Sequence, residues 1–176
     1  MARWPEQLDR VERCLERIHA SKKQRLDVTE QEDALWTFFQ QCYHLADWIR
    51  SDPEVAGSVD PAELERMVVE SHALSLVGRL ARREKGIDLE RSRRESELVS
   101  AQSAISLREV LGRGDAPPED DWDWKVVVPD GPDRWARDVA RDAVADWGWI
   151  VSELGLSGED ASGPESSERD EEQDAD

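Results

Sequence analysis

Residues 34–50, ALWTFFQQCYHLADWIR, are the densest apolar run in an otherwise polar chain. Leu35, Phe38, Cys42, Leu45 and Ile49 recur at intervals of three and four and form one helical stripe. Trp36, Phe39 and Tyr43 form a second stripe beside it. A helix apolar over so wide an arc has to be covered on more than one side. The spacing therefore predicts a central helix, and a mainly α fold assembled around it.

The flanking residues predict what covers that helix. Pro5 suits a first helical turn, and Leu8, Val11, Leu15 and Ile18 mark a one-faced helix over about 5–20. Thr29 and Glu32 match a T-x-x-E capping box, which starts the central helix near Glu30. Ser51-Asp52-Pro53 stops it, because a residue before proline avoids helical angles. Asp60-Pro61-Ala62-Glu63 is a second start signal. From Leu64 to Leu80 the apolar residues lie on two sides, predicting one continuous helix that packs on the central one and ends at Gly86.

Trp122, Trp124, Val126 and Val128 alternate with Asp121, Asp123, Lys125 and Val127, which is a strand pattern. A lone strand leaves its backbone groups unpaired, so a partner is sought within 98–110, across the loop 112–120, as a small β-hairpin. Pro129-Asp130-Gly131-Pro132 is a turn, and a last helix follows over about 133–154 with Ala136, Val139, Ala143, Trp147, Ile150 and Leu154 on one face. Residues 157–176 hold nine carboxylates, one arginine and no apolar side chain larger than alanine, so a disordered acidic tail is expected there. The expected architecture is a helical bundle of about four helices with a small β-hairpin before the last. Residues 1–156 form the domain and 157–176 the tail.

The net charge of −18 sets limits on partners. Such a surface repels nucleic acid and anionic membrane at long range. No run approaches the ~18 apolar residues of a membrane span, and residues 1–25 lack a secretory pattern. Cys14 and Cys42 have no metal-like spacing and fall on apolar stripes, as buried thiols in a reducing compartment would. The expectation is a cytoplasmic protein with a protein partner, no membrane partner and no cofactor or metal; self-association as a homodimer is left open.

Four groups of residues are candidate sites. His44 has Asp47 and Trp48 one turn on and Gln40 and Gln41 one turn back. A carboxylate beside an imidazole is the arrangement of a general base or a ligand, although it also suits a polar helix edge. Four potential ligands, His44, Asp47, Glu70 and His72, converge only if two helices pack in one register. Arg66 and His72 form an R-x5-H pair, as do Arg13 and His19. Residues 79–94 carry seven basic and three acidic side chains, a local +4 that includes Arg82, Arg83, Arg93 and Arg94. This is the one stretch suited to a phosphate backbone or an acidic partner. Trp122, Trp124 and Trp149 are a further candidate surface, and packing against the last helix is the alternative use for them.

The R-x5-H pair resembles the R-x(4–6)-H motif of the HEPN superfamily, all-helical proteins frequent in toxins and phage defence. The resemblance implies Arg66 and His72 acting on RNA phosphate. Met67 and Cys14 stand where that family usually has a polar residue after the arginine. Over 29–156 the chain resembles a set of small bacterial proteins of uncharacterised function. The matching pieces are the F-x-x-C-x-H-L-x-D-W helix at Phe39 to Trp48, Ser92-Arg93-Arg94, Trp124 to Val128, Asp130-Gly131, and Trp147 with Ile150. Those proteins read A-N-G-x-K-H where this chain has Ala81-Arg82-Arg83-Glu84-Lys85-Gly86, so the resemblance implies a shared fold rather than a shared activity. The functional expectation is a non-catalytic interaction or regulatory module, with a link to mobile elements or phage defence. The alternatives are a HEPN-like endoribonuclease and an acidic mimic of nucleic acid.

Overall fold

The computed structural model describes residues 3–21, 23–24, 26–93, 122–129 and 131–156. Among them are five helices: α1 (Trp4–Ala20), α2 (Val28–Ser51), α3 (Pro61–Glu70), α4 (His72–Ala81) and α5 (Ala136–Glu153). Three short strands, β1 (Asp88–Arg93), β2 (Trp122–Val127) and β3 (Arg134–Trp135), form one antiparallel sheet in the order β1-β2-β3. The mainly helical fold expected from the periodicity is the observed one. No described helix is long and apolar enough to cross a membrane.

α2 is the centre. Leu35, Phe38, Phe39, Cys42, Leu45 and Ile49 are buried, with α1, α4 and α5 packed around them. Phe38 and Phe39 meet edge to face at 5.7 Å. Of the second stripe Phe39 is fully buried, whereas Trp36 and Tyr43 are only half-buried and border the core. The helix also begins earlier than the T-x-x-E pattern suggests. Asp27 is the cap: its carboxylate accepts the Glu30 N–H at 2.9 Å, and the Asp27 N–H donates to Glu30 at 3.0 Å. Glu32 instead accepts the Trp36 indole N–H at 3.2 Å. Aspartate is as good a cap as any residue, and its reciprocal glutamate sits at the required third position.

At the far end of α2, Asp52 accepts the Trp4 N–H and the Glu54 N–H, each at 3.0 Å. One carboxylate thus ties the first turn of α1 to the turn after α2.

The expected single helix over 61–85 is two helices. Ser71 is extended at ψ 119°; its hydroxyl caps α4 by accepting the Leu74 N–H at 3.0 Å and donates to Asp146 of α5 at 2.6 Å. A serine cap plus a tertiary acceptor outweighs continuation of the helix, because serine competes locally for backbone donors. α4 then ends at Ala81, before Gly86. Arg83 takes the left-handed conformation (φ +50°) usually reserved for glycine, and its N–H and that of Glu84 return to Leu80 and Arg79. This helix ending costs an arginine on the order of 1 kcal/mol. Gly86, also left-handed, belongs to the turn into β1, where a Cβ would come within 2.9 Å of Pro129.

The partner of β2 is β1, with Leu89 opposite Val126 and Arg91 opposite Trp124, rather than a strand in 98–110. Residues 98–110 lie outside the described part of the chain. Leu89, Trp124 and Val126 are buried on one face, and β3 adds a short edge through Lys125 and Trp135. Asp123, 2 % exposed, accepts from Arg137 of α5 at 3.0 Å. Arg137 also donates to the Ser21 hydroxyl at 3.0 Å, so one guanidinium joins the sheet, α5 and the end of α1.

Candidate functional site

The sequence candidates do not converge. His44 lies 3.4 Å from Asp47 on the exposed edge of α2, and Asp47 also accepts from Arg50 at 3.2 Å. Trp48 is half-buried, with the Arg10 guanidinium 6.0 Å from its ring. No group of three or more His, Cys, Asp or Glu side chains among the described residues is placed to hold a metal ion.

Arg66 and His72 fall on different helices, separated by the break at Ser71. The Arg66 guanidinium is held by Glu63 at 2.6 and 3.1 Å and by Glu70 at 2.6 Å. These carboxylates raise its pKa further, and Arg66 in turn holds the Glu63 carboxyl below its ordinary value. His72 is exposed in the first turn of α4, and Arg13 and His19 are exposed on α1. Trp124 belongs to the core, whereas Trp149 is 55 % exposed. The side chains of Trp122, Arg93 and Arg94 lie outside the description.

Arg82 and Arg83 are placed more specifically. The Arg83 guanidinium lies 4.3 Å from the centre of the Trp36 ring, and that of Arg82 lies 5.5 Å from the Tyr43 ring. Gly78 lies beneath this pair: a Cβ there would meet Arg82 at 3.4 Å and Tyr43 at 3.6 Å, ordinary van der Waals contact. Gln40 fastens the same edge by donating to the Ala81 carbonyl at 2.6 Å.

Tyr43 and Arg82 also line a groove of about 180 Å³. Its walls are Ala46, Asp47 and Arg50 of α2, Glu65, Val68 and Val69 of α3, and Leu74 and Val77 of α4. Val69 stands on its rim and is 67 % exposed. At its base lie Cys42 and Trp147, both buried. Burial pushes the Cys42 thiol up to about 12, a rise that the Trp147 indole N–H offsets only in part. A thiol so far from ionisation is no nucleophile. The groove therefore sets the apolar side chains Val68, Val69, Leu74 and Val77 beside four charged ones, Asp47, Arg50, Glu65 and Arg82.

No protein-family model matches the chain, and neither does any curated protein or any solved structure.

The sequence reading missed this groove. Its one local signal is Val69, an apolar residue beside Met67 and Val68 that falls on the charged side of α3, next to Glu65 and Glu70.

Proposed function

We propose that the chain is a non-catalytic interaction module that receives a segment of a partner protein in the groove between α2, α3 and α4. The observation that carries this reading is Val69. It is 67 % exposed at the rim of a groove walled by Val68, Leu74 and Val77. An apolar side chain held in water beside a concave apolar wall gains free energy when a partner covers both. The engagement of Arg66 by two carboxylates supports binding over RNA cleavage, since a guanidinium so held has fewer donors left for a phosphate. The unpaired thiols Cys14 and Cys42 fit a reducing compartment such as the cytoplasm.

The test is affinity capture from the native host, followed by binding measurements on the purified partner with wild type and Val69→Asp. The substitution lies on the surface, so the melting temperature should hold while partner binding falls by at least tenfold. Equal binding by both proteins would remove the groove from the account. RNA cleavage by purified protein without added metal, abolished by His72→Ala in a folded variant, would replace the proposal with the ribonuclease reading.

A further inference from the structure

Where Tyr43 and Arg82 line the groove, the Arg82 guanidinium lies over the Tyr43 ring, and outside the groove along the same edge of α2 the Arg83 guanidinium lies over Trp36. Trp36 and Tyr43 are seven residues apart on α2, so their rings stand about 10 Å apart along the helix. Each carries a guanidinium, from Arg83 and Arg82 respectively. A guanidinium stacked on a ring is oriented while its N–H edges stay open to an anion. Both arginines are exposed, Arg82 to 54 % of its side chain. The nearest carboxylate to Arg82 is Glu84, at 3.8 Å, and Glu84 is shared with Arg79 at 3.3 Å. Arg83 is the sole non-glycine with positive φ among the described residues. A glycine would end α4 with less strain, but no guanidinium would then sit on Trp36.

We infer that this end of the groove is a docking site for a carboxylate-rich peptide segment. Its acidic side chains pair with Arg82 and Arg83, and an adjoining apolar side chain enters the groove beside Val69. The inference rests on the reading of the groove as an interaction surface and specifies the chemistry of the partner. Charge complementarity carries it: residues 79–85 hold Arg79, Arg82, Arg83 and Lys85 against Glu84, a local +3 that stands out from a chain of net charge −18. The same observations favour a peptide over a nucleic acid. Bases bind by stacking on open aromatic faces, and here the two rings are half-buried and already carry guanidiniums. A polyphosphate is also repelled by the rest of the chain more strongly than a peptide whose carboxylates alternate with neutral residues.

The experiment is fluorescence anisotropy on the full chain. One probe is a labelled peptide rich in Asp and Glu around a central Leu; the other is a labelled single-stranded RNA of equal charge. The salt series runs from about 50 mM to about 150 mM, where the screening length falls toward 8 Å. The peptide should bind more tightly than the RNA, and Arg82→Gln combined with Arg83→Gln should weaken it about tenfold or more. Arg83→Gly is the separating variant. It should weaken peptide binding while leaving the melting temperature unchanged or raised, because it removes the left-handed arginine. A merely structural role for Arg83 predicts the opposite pairing: unchanged binding with altered stability. Absence of peptide binding by wild type, indifference to both arginine changes, or tighter binding of RNA lost in the same variants each overturns the inference. The groove proposal fails separately. Its readout is Val69→Asp against the native partner, which does not depend on the acidic probe.

Discussion

Arg137→Ala tests how the sheet is fastened to the helices. The guanidinium donates to Asp123 at 3.0 Å and to the Ser21 hydroxyl at 3.0 Å, with Asp123 at 2 % exposure. Truncation takes the Arg137 guanidinium away from a buried carboxylate. Breaking a buried pair from one side costs about 3–5 kcal/mol, because the remaining charge is poorly compensated. Asp123 also accepts the Trp124 N–H at 2.9 Å, which puts the expected loss near the lower end, about 3 kcal/mol. For a chain of this size that corresponds to a fall in melting temperature of roughly 6–12 °C. Arg137→Lys should fall between wild type and alanine, because a single ammonium does not reproduce the two-armed reach to Asp123 and Ser21. Replacing both members by apolar residues, Asp123→Leu with Arg137→Met, should recover much of the loss, since the buried charge is gone. The assay is thermal and urea unfolding followed by circular dichroism. A shift of under about 2 °C for Arg137→Ala would show that the pair contributes little to holding the sheet.

Three further outcomes are expected. Phe38→Ala, which empties a fully buried site between α2 and its neighbours, should destabilise by about 3–5 kcal/mol in urea unfolding, and a loss below ~1 kcal/mol would contradict the central position of α2. Ser71→Ala removes both the α4 cap and the bond to Asp146 and should cost about 1–2 kcal/mol; an unchanged midpoint would mean that the helix break is maintained by packing. The Asp52 carboxyl is held below its ordinary value chiefly by the Trp4 N–H, then by the Glu54 N–H. A lowered folded pKa gives stability that is present above the unfolded pKa and lost as pH falls through the folded one. Asp52→Asn should therefore flatten the acid limb of a stability–pH curve; superimposable limbs for the two proteins would exclude Asp52 as a contributor.

Local signals were legible without coordinates wherever the physics is local. The spacing of Leu35, Phe38, Cys42, Leu45 and Ile49 determines a buried helix, since period and burial follow from one sequence interval. Pro5 and Asp60-Pro61 determine helix starts, because cap chemistry acts within a turn. Even the Asp27–Glu30 box was present in the residues, in competition with Thr29–Glu32 two positions later. The misses have a common cause. β1 reads DLERSR, with Leu89 as its single apolar residue, so only its pairing with Val126 and the cover of the core make it a strand. The break at Ser71 depends on Asp146, which is distant in sequence and contributed by another helix. The candidate site is non-local throughout. Arg82 and Arg83 read as basic residues of a helix end; their placement on Tyr43 and Trp36 follows from the left-handed turn at Arg83 and the packing of α4 on α2. Val69 reads as an apolar residue among Glu65, Arg66 and Glu70, and whether it is buried or left at the rim of a groove depends on the packing of α3 against α2 and α4. Side-chain period and cap chemistry are properties of neighbouring residues, whereas strand pairing, stacking and concavity are properties of elements brought together by the fold.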